Sequence, residues 1–266
     1  MDGSLVTAIA IMGHGEAGRA YAVGLHGAGA AISAYDPFKR VEAVGVREAG
    51  TVADAITNAE VVLSLVGASE SRGAAADVFA VAAPGTLFVD MNTSAPDLKR
   101  QIAAMAADAG VEMADVAILA PVLRAGHATP LLASGPAASR TADVLGSLGA
   151  PVTIVDGPAG AAARLKLLRS VFMKGLATLV IEGTSAARAE GAEEWLRGQI
   201  AGELGPAGAA LVDRLVDGTY IHAVRREHEM RDALELLETA GQPTDMTRAT
   251  VAWMQRIVAG LPDAGD

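Results

Sequence analysis

Lys166, Ser170 and Lys174 recur at intervals of four residues, so on a helix they form one stripe. Around that stripe stand Leu165, Leu167, Leu168, Val171, Phe172, Met173, Leu176 and Leu179. A lysine so surrounded can give or take a proton, and Arg169 on the neighbouring line can bind an acidic substrate. A solvated lysine face is the ordinary alternative. A second polar group, Asn92, Thr93 and Ser94, lies in Asp90-Met91-Asn92-Thr93-Ser94-Ala95-Pro96 and offers an amide and hydroxyls to a carboxylate or hydroxyl. Its plain alternative is a helix cap before Pro96.

A third group is Gly13-His14-Gly15-Glu16-Ala17-Gly18, a Gly-x-Gly-x-x-Gly turn between an apolar run at 6–12 and a helical pattern at 16–26. Gly13 permits the tight turn, Gly15 lets backbone approach a pyrophosphate, and Gly18 lets helix and strand pack closely. The first N–H groups of the helix then face the anion. With 30 glycines in the chain, an accidental match competes with this reading. The context favours the dinucleotide, because the next apolar run, 31–35, ends in Asp36, where an acidic side chain accepts hydrogen bonds from an adenosine ribose. That carboxylate favours NAD over NADP, while Lys39 and Arg40 leave NADP open. Leu65 and Val66, after the fourth strand, would line the cofactor. His14 is expected to contribute backbone only, and Glu16 to act at the helix end.

The elements that must position these groups follow from the hydrophobic pattern. Strands are expected at 31–35, 44–46, 61–65, 87–89, 111–118, 131–133 and 152–155, and Thr51 caps a short helix at 52–59. Further helices fall at 96–109 and 139–148, the first opened by Pro96. After Gly157-Pro158-Ala159-Gly160 the period becomes helical: 161–188, 193–203, 206–217, 221–239 and 243–261. The expected fold is α/β, an N-terminal Rossmann doubly wound parallel sheet over 1–158 and an all-α domain over 159–266. The tail 262–266 is expected to be disordered.

Composition narrows the function. The chain has 266 residues, 51% of them hydrophobic, and a formal charge of -10, which argues against nucleic acid or an anionic membrane as partner. No cysteine is present, so disulfides, thiolate zinc sites and cysteine nucleophiles are excluded. His14, His26, His127, His222 and His228 are scattered, and no metal site is expected; His127 alone is a weak candidate for chemistry. Met-Asp-Gly-Ser opens no signal peptide and no run is long enough to span a bilayer, so the expectation is a cytoplasmic protein. The short, apolar C-terminal half is expected to pack against a second copy as a homodimer.

Taken together, these residues resemble the β-hydroxyacid dehydrogenases, the family of 3-hydroxyisobutyrate and 6-phosphogluconate dehydrogenases, over nearly the whole chain. The glycine turn resembles theirs, and the segment from Asp90 to Pro96 is similar to their Asp-x-Ser-Thr-x-x-Pro, with Asn92 for serine. The resemblance implies that Lys166 is the catalytic general acid/base, its pKa brought down by an interdomain cleft and by Arg169 and Lys174. It also implies that Asn92, Thr93, Ser94, Pro121, Val122, Arg169 and Ser170 bind a small acidic substrate, and it points to a dimer as well. Two departures fall on substrate recognition. The family's Asp-Ala-Pro-Val-Ser-Gly-Gly becomes Asp115-Val116-Ala117-Ile118-Leu119-Ala120-Pro121, and its asparagine four residues after the lysine is Ser170. Ala120-Pro121-Val122, Thr129-Pro130-Leu131-Leu132 and Arg225-Arg226-Glu227-His228-Glu229-Met230 resemble a branch with a phosphogluconate-dehydrogenase-like C-terminal domain. The implied reaction is hydride transfer between a nicotinamide and a small β-hydroxy acid. The alternatives are an imine or enamine reductase on the same scaffold, where the lysine position typically carries another residue, and a dinucleotide-binding sensor without turnover.

Overall fold

The computed structural model describes residues 7–260, so Val6, Leu261 and the tail 262–266 lie outside the described residues. The chain forms two compact units, 1–166 and 167–266. The first holds β1 (Ala8–Met12), α1 (Glu16–Gly27), β2 (Ala31–Tyr35), β3 (Val46–Glu48), α2 (Val52–Ile56), β4 (Val61–Ser64) and α3 (Ser71–Phe79). It continues with β5 (Leu87–Asp90), α4 (Pro96–Asp108), β6 (Glu112–Ile118), β7 (Leu131–Ser134), α5 (Ala138–Ser147) and β8 (Val152–Ile154). The strands make one sheet in the order β3-β2-β1-β4-β5-β6-β7-β8.

Strand β1 shows why this unit is layered on both faces. Ile9 and Ile11 join the core that holds Tyr21 and Leu25 of α1 and Leu145 of α5, whereas Ala10 and Met12 join the core of Ala55, Val78 and Ile102 from α2, α3 and α4. Alternate side chains point to opposite faces, so a strand with two buried faces reads as a continuous apolar run. The sheet is dominated by parallel pairs, as expected, but β7 runs antiparallel to β6. The connection between them contains only two three-residue 3-10 turns, Val122–Arg124 and Gly126–Ala128, where a parallel partner would need a crossover element. Strand β3 begins two residues later than the pattern predicts, because Gly45 turns at φ +77° and Val44 is 93% exposed; pairing with Ile32 starts at Val46. The expected cap is present, with Asp54 N–H donating to Thr51 Oγ1 at 3.1 Å.

Helix α6 (Ala161–Ala189) begins in the first unit and runs into the second, which adds α7 (Glu193–Glu203), α8 (Gly208–Ile221), α9 (Ala223–Thr239) and α10 (Asp245–Ala259). Its core lies along α6: Leu167 packs with Met230 and Val251, Ala177 and Val180 with Val212 and Leu215, and Ile181 with Ala223 and Ile257. Helix α8 extends four residues past its expected end, so the break before α9 falls at His222. Among the described residues no helix is long and apolar enough to cross a membrane, and no cluster of His, Cys, Asp or Glu could hold a metal ion.

Candidate functional site

The strand order reverses at β1, whose neighbours are β2 and β4, and a doubly wound sheet binds ligands at the carboxyl ends of its strands beside such a switch point. The glycine turn lies there. Gly13 adopts φ +94°, and a Cβ on it would sit 2.5 Å from the Leu65 carbonyl oxygen. A Cβ on Gly18 would meet the Gly13 carbonyl oxygen at 2.0 Å, so α1 rests directly on the turn. Gly15 differs, because no atom lies within 4 Å of the place its Cβ would take. It caps α1 without a side-chain hydrogen bond, which leaves open space beside the first N–H groups of a twelve-residue helix. Two glycines closed onto backbone and one facing open space fit a pyrophosphate laid against the helix start.

Asp36 completes this half of the site. Its Oδ2 accepts the His14 N–H at 2.7 Å, and its Oδ1 accepts the N–H groups of Phe38 at 2.9 Å and Lys39 at 3.1 Å. The carboxylate therefore ties the end of β2 to the glycine turn while staying partly exposed. Glu16 is exposed in the first turn of α1, Ala17 packs against the core of β1, and Lys39 and Arg40 are exposed. The His14 side chain is only 6% exposed.

At the ends of β4 and β5, Asn92 is the organising residue. It is 5% exposed; its Oδ1 accepts the Val66 N–H at 2.7 Å, and its amide nitrogen donates to Ser64 Oγ at 2.9 Å and Asp90 Oδ1 at 2.8 Å. Its side chain thus joins the two loops that follow β4 and β5. Leu65 is buried next to the Gly13 turn. Ser94 is buried with its hydroxyl lacking a hydrogen-bond partner among the described residues.

Thr93 meets the lysine: Lys166 Nζ donates to Thr93 Oγ1 at 2.8 Å, across 73 positions of sequence. A buried charge cluster lies at the start of the helix that carries Lys166. Lys99, fully buried on α4, lies 3.0 Å from Asp90 Oδ1 and 3.4 Å from Asp115 Oδ1. Asp115 Oδ2 accepts the N–H groups of Gly160 at 3.0 Å and Ala163 at 3.1 Å, and Ser134 Oγ accepts that of Ala162 at 2.9 Å. The start of α6, one turn before Lys166, is therefore anchored on β6 and β7. Lys99 was not among the expected site residues, although its signal is in the sequence: it lies on the apolar stripe of Pro96, Ile102 and Ala106.

The remaining expected site residues divide between the two units. Val122 is 4% exposed and belongs to the core beside α1. Pro121 precedes the 3-10 turn that holds it. His127 packs so tightly on α1 that a Cβ on Gly24 would lie 2.1 Å from its Nδ1. Arg169 is exposed. In the second unit Lys174 Nζ lies 2.5 Å from Glu229 Oε2 and donates to Ser170 Oγ at 2.9 Å. Burial holds the Lys174 ammonium below the usual lysine range, opposed by Glu229.

Residues 8–157 match the family model described as the NAD binding domain of 6-phosphogluconate dehydrogenase, more than half of the chain. The chain belongs to the β-hydroxyacid dehydrogenase family. The C-terminal residues 187–257 match a second model, a domain of unknown function, DUF1932. Over 129 residues the chain is 31% identical to a probable 3-hydroxyisobutyrate dehydrogenase of Mycobacterium tuberculosis, covering 47% of the chain and 44% of that relative. The match thus spans less than half of the curated relative. Among solved structures, a conserved hypothetical protein from Sinorhizobium meliloti is 31% identical with a TM-score of 0.74, over 99% of this chain and 92% of that one. A Mycobacterium tuberculosis 3-hydroxyisobutyrate dehydrogenase with L-serine is 20% identical with a TM-score of 0.80, over 96% and 95% of the two chains. An imine reductase from Myxococcus stipitatus with NAD+ is 20% identical with a TM-score of 0.65, over 96% and 94%. For the last two, the likeness is one of fold.

Proposed function

We propose that the protein is an NAD-dependent oxidoreductase that moves a hydride between the nicotinamide and a small β-hydroxy acid, with Lys166 as general acid/base. The observation that carries this reading is the 2.8 Å hydrogen bond between Lys166 Nζ and Thr93 Oγ1. It brings the one lysine singled out by helix pattern and family motif to the carboxyl end of β5, where ligands of this fold bind. The bound dinucleotide supplies the hydride acceptor in one direction and the donor in the other. In oxidation, neutral Lys166 takes the proton of the substrate hydroxyl as the C–H bond breaks; in reduction the ammonium returns it. Thr93 Oγ1 accepts one N–H of Lys166 and so fixes the direction of the nitrogen. A β-hydroxy acid is favoured by the family and by the L-serine carried by one structural relative.

Asp36 favours NAD, since its carboxylate accepts from a free ribose hydroxyl and repels a 2′-phosphate. The imine reductase alternative shares the fold, but Lys166 argues against it. The test is a panel of β-hydroxy acids, including 3-hydroxyisobutyrate and L-serine, and of cyclic imines, followed by nicotinamide absorbance. Turnover of a hydroxy acid is expected, with NAD preferred. Turnover of imines alone, or none with any compound while NADH binds, would overturn the reading in favour of the reductase or the sensor.

A further inference from the structure

The imidazole of His14 is the one side chain of the glycine turn that the reading above leaves without a task. It is 6% exposed, and neither Nδ1 nor Nε2 has a hydrogen-bond partner among the described residues. A neutral imidazole carries one donor and one acceptor, and leaving either buried and unpartnered costs about 1–3 kcal/mol. Such a residue in a ligand-binding turn calls for an explanation beyond packing. The ring belongs to the residue between the glycine that makes the turn and the glycine that faces open space. Its own N–H is held by Asp36 and the next residue is the glycine that faces open space, so on the dinucleotide reading of the turn the ligand runs beside His14.

We propose that the His14 imidazole is a proton-linked contact for the dinucleotide: it takes up a proton as the pyrophosphate seats, so that affinity falls as pH rises. The inference rests on the dinucleotide reading of the turn. The charges that act on the ring come from several elements: Arg19 of α1, Asp36 after β2, Glu48 of β3 and Glu42 in the loop between the last two. In the free protein burial lowers its pKa, Arg19 acts the same way, and the three carboxylates oppose them, with a net downward shift from 6.5. A pyrophosphate adds two negative charges and reverses the balance. Between the lowered free value and the raised bound value the complex holds one more proton than its parts. The dissociation constant therefore rises with pH through that window and levels off above it.

NADH is the probe, because its pyrophosphate does not titrate in this range, whereas the 2′-phosphate of NADPH titrates near pH ~6. The wild-type dissociation constant, read by fluorescence, is expected to rise about three- to tenfold between pH ~6 and ~8.5, tenfold corresponding to a shift of about one pKa unit. His14→Gln keeps an N–H donor but cannot titrate, and its profile is expected to be flat. In the wild-type protein the His14 ring signal in NMR is expected to titrate at higher pH when saturated with NADH than when free, a measurement that needs no variant. Equal slopes for wild type and His14→Gln, a flat wild-type profile, or a ring pKa that does not rise would overturn the proposal while leaving the dinucleotide reading standing. Failure of both NADH and NADPH to bind at any pH would overturn the two together.

Discussion

At the scale of the residue, Lys166 and Lys174 share one stripe of α6 and have different surroundings. Lys166 reaches Thr93, whereas Lys174, with its side chain 13% exposed, is taken up by Glu229 and Ser170. Lys166→Ala is therefore expected to keep its fold and its NADH affinity and to lose about 10²- to 10⁴-fold in turnover of the hydroxy acid. Near wild-type turnover would overturn the role given to it. Lys174→Met is expected to do the reverse. Removing one partner of a buried ion pair costs about 3–5 kcal/mol, and the lower end applies because Arg226 also faces Glu229. Denaturant unfolding should show that loss while turnover per folded molecule stays within a few-fold. A catalytic collapse with unchanged stability would move the chemistry to the other lysine.

At the scale of the element, the glycine turn and the start of α6 are separate devices. Gly18→Ala puts a methyl 2.0 Å from the Gly13 carbonyl oxygen and should prevent α1 from docking, read as loss of cooperative unfolding or of soluble protein. Gly15→Ala meets no atom within 4 Å and keeps an ordinary negative φ of -71°, so its stability is expected to stay within about 0.5 kcal/mol of wild type. Its NADH affinity should nonetheless fall, because the methyl occupies the space left for the ligand. Unchanged affinity would show that the open side of Gly15 is not where the dinucleotide lies. At α6, Lys99→Met removes the ammonium set between Asp90 and Asp115 and is expected to cost about 3–5 kcal/mol in unfolding experiments. Asp115 also receives the first N–H groups of α6, so the helix that carries Lys166 should loosen in the same variant, visible as faster amide exchange at residues 160–163.

At the scale of the whole molecule, the second unit leaves a row of apolar side chains in water. Leu168, Phe172 and Leu179 of α6 are 43%, 67% and 63% exposed, and Ile221 and Met246 more than 70%. Positions 168, 172 and 179 lie on one helical face, and a contiguous apolar stripe of this kind marks an interaction surface. We propose that a second copy covers it, in a symmetric dimer. Light scattering at micromolar concentration should give twice the mass of one chain, and Phe172→Glu should shift it toward the monomer. A monomeric wild-type protein would refute the assignment.

The sequence by itself determined the class of fold, the strands from β1 to β6, the glycine turn with Asp36, and the helix that bears Lys166. These features are local, written in the period of apolar residues, in residues that only tight backbone accepts, and in a motif shared with a family. Tertiary structure decided what the polar residues do. Asn92 reads in sequence as a polar side chain after β5, and the fold turns that side chain onto the loops after β4 and β5; Val122 reads as the residue after Pro121, and the fold packs it in the core; Lys99 shows in sequence only as a lysine on an apolar stripe, and the fold sets it at the centre of the buried charges. The direction of β7 was likewise outside the pattern, since a strand buried on both faces reads as one apolar run whichever way its neighbour runs. The deciding partner lies 9 positions away for Lys99, 26 and 28 for Asn92, and 73 for Lys166. A hydrogen bond or ion pair over such a distance leaves no periodicity in the chain from which it could be read.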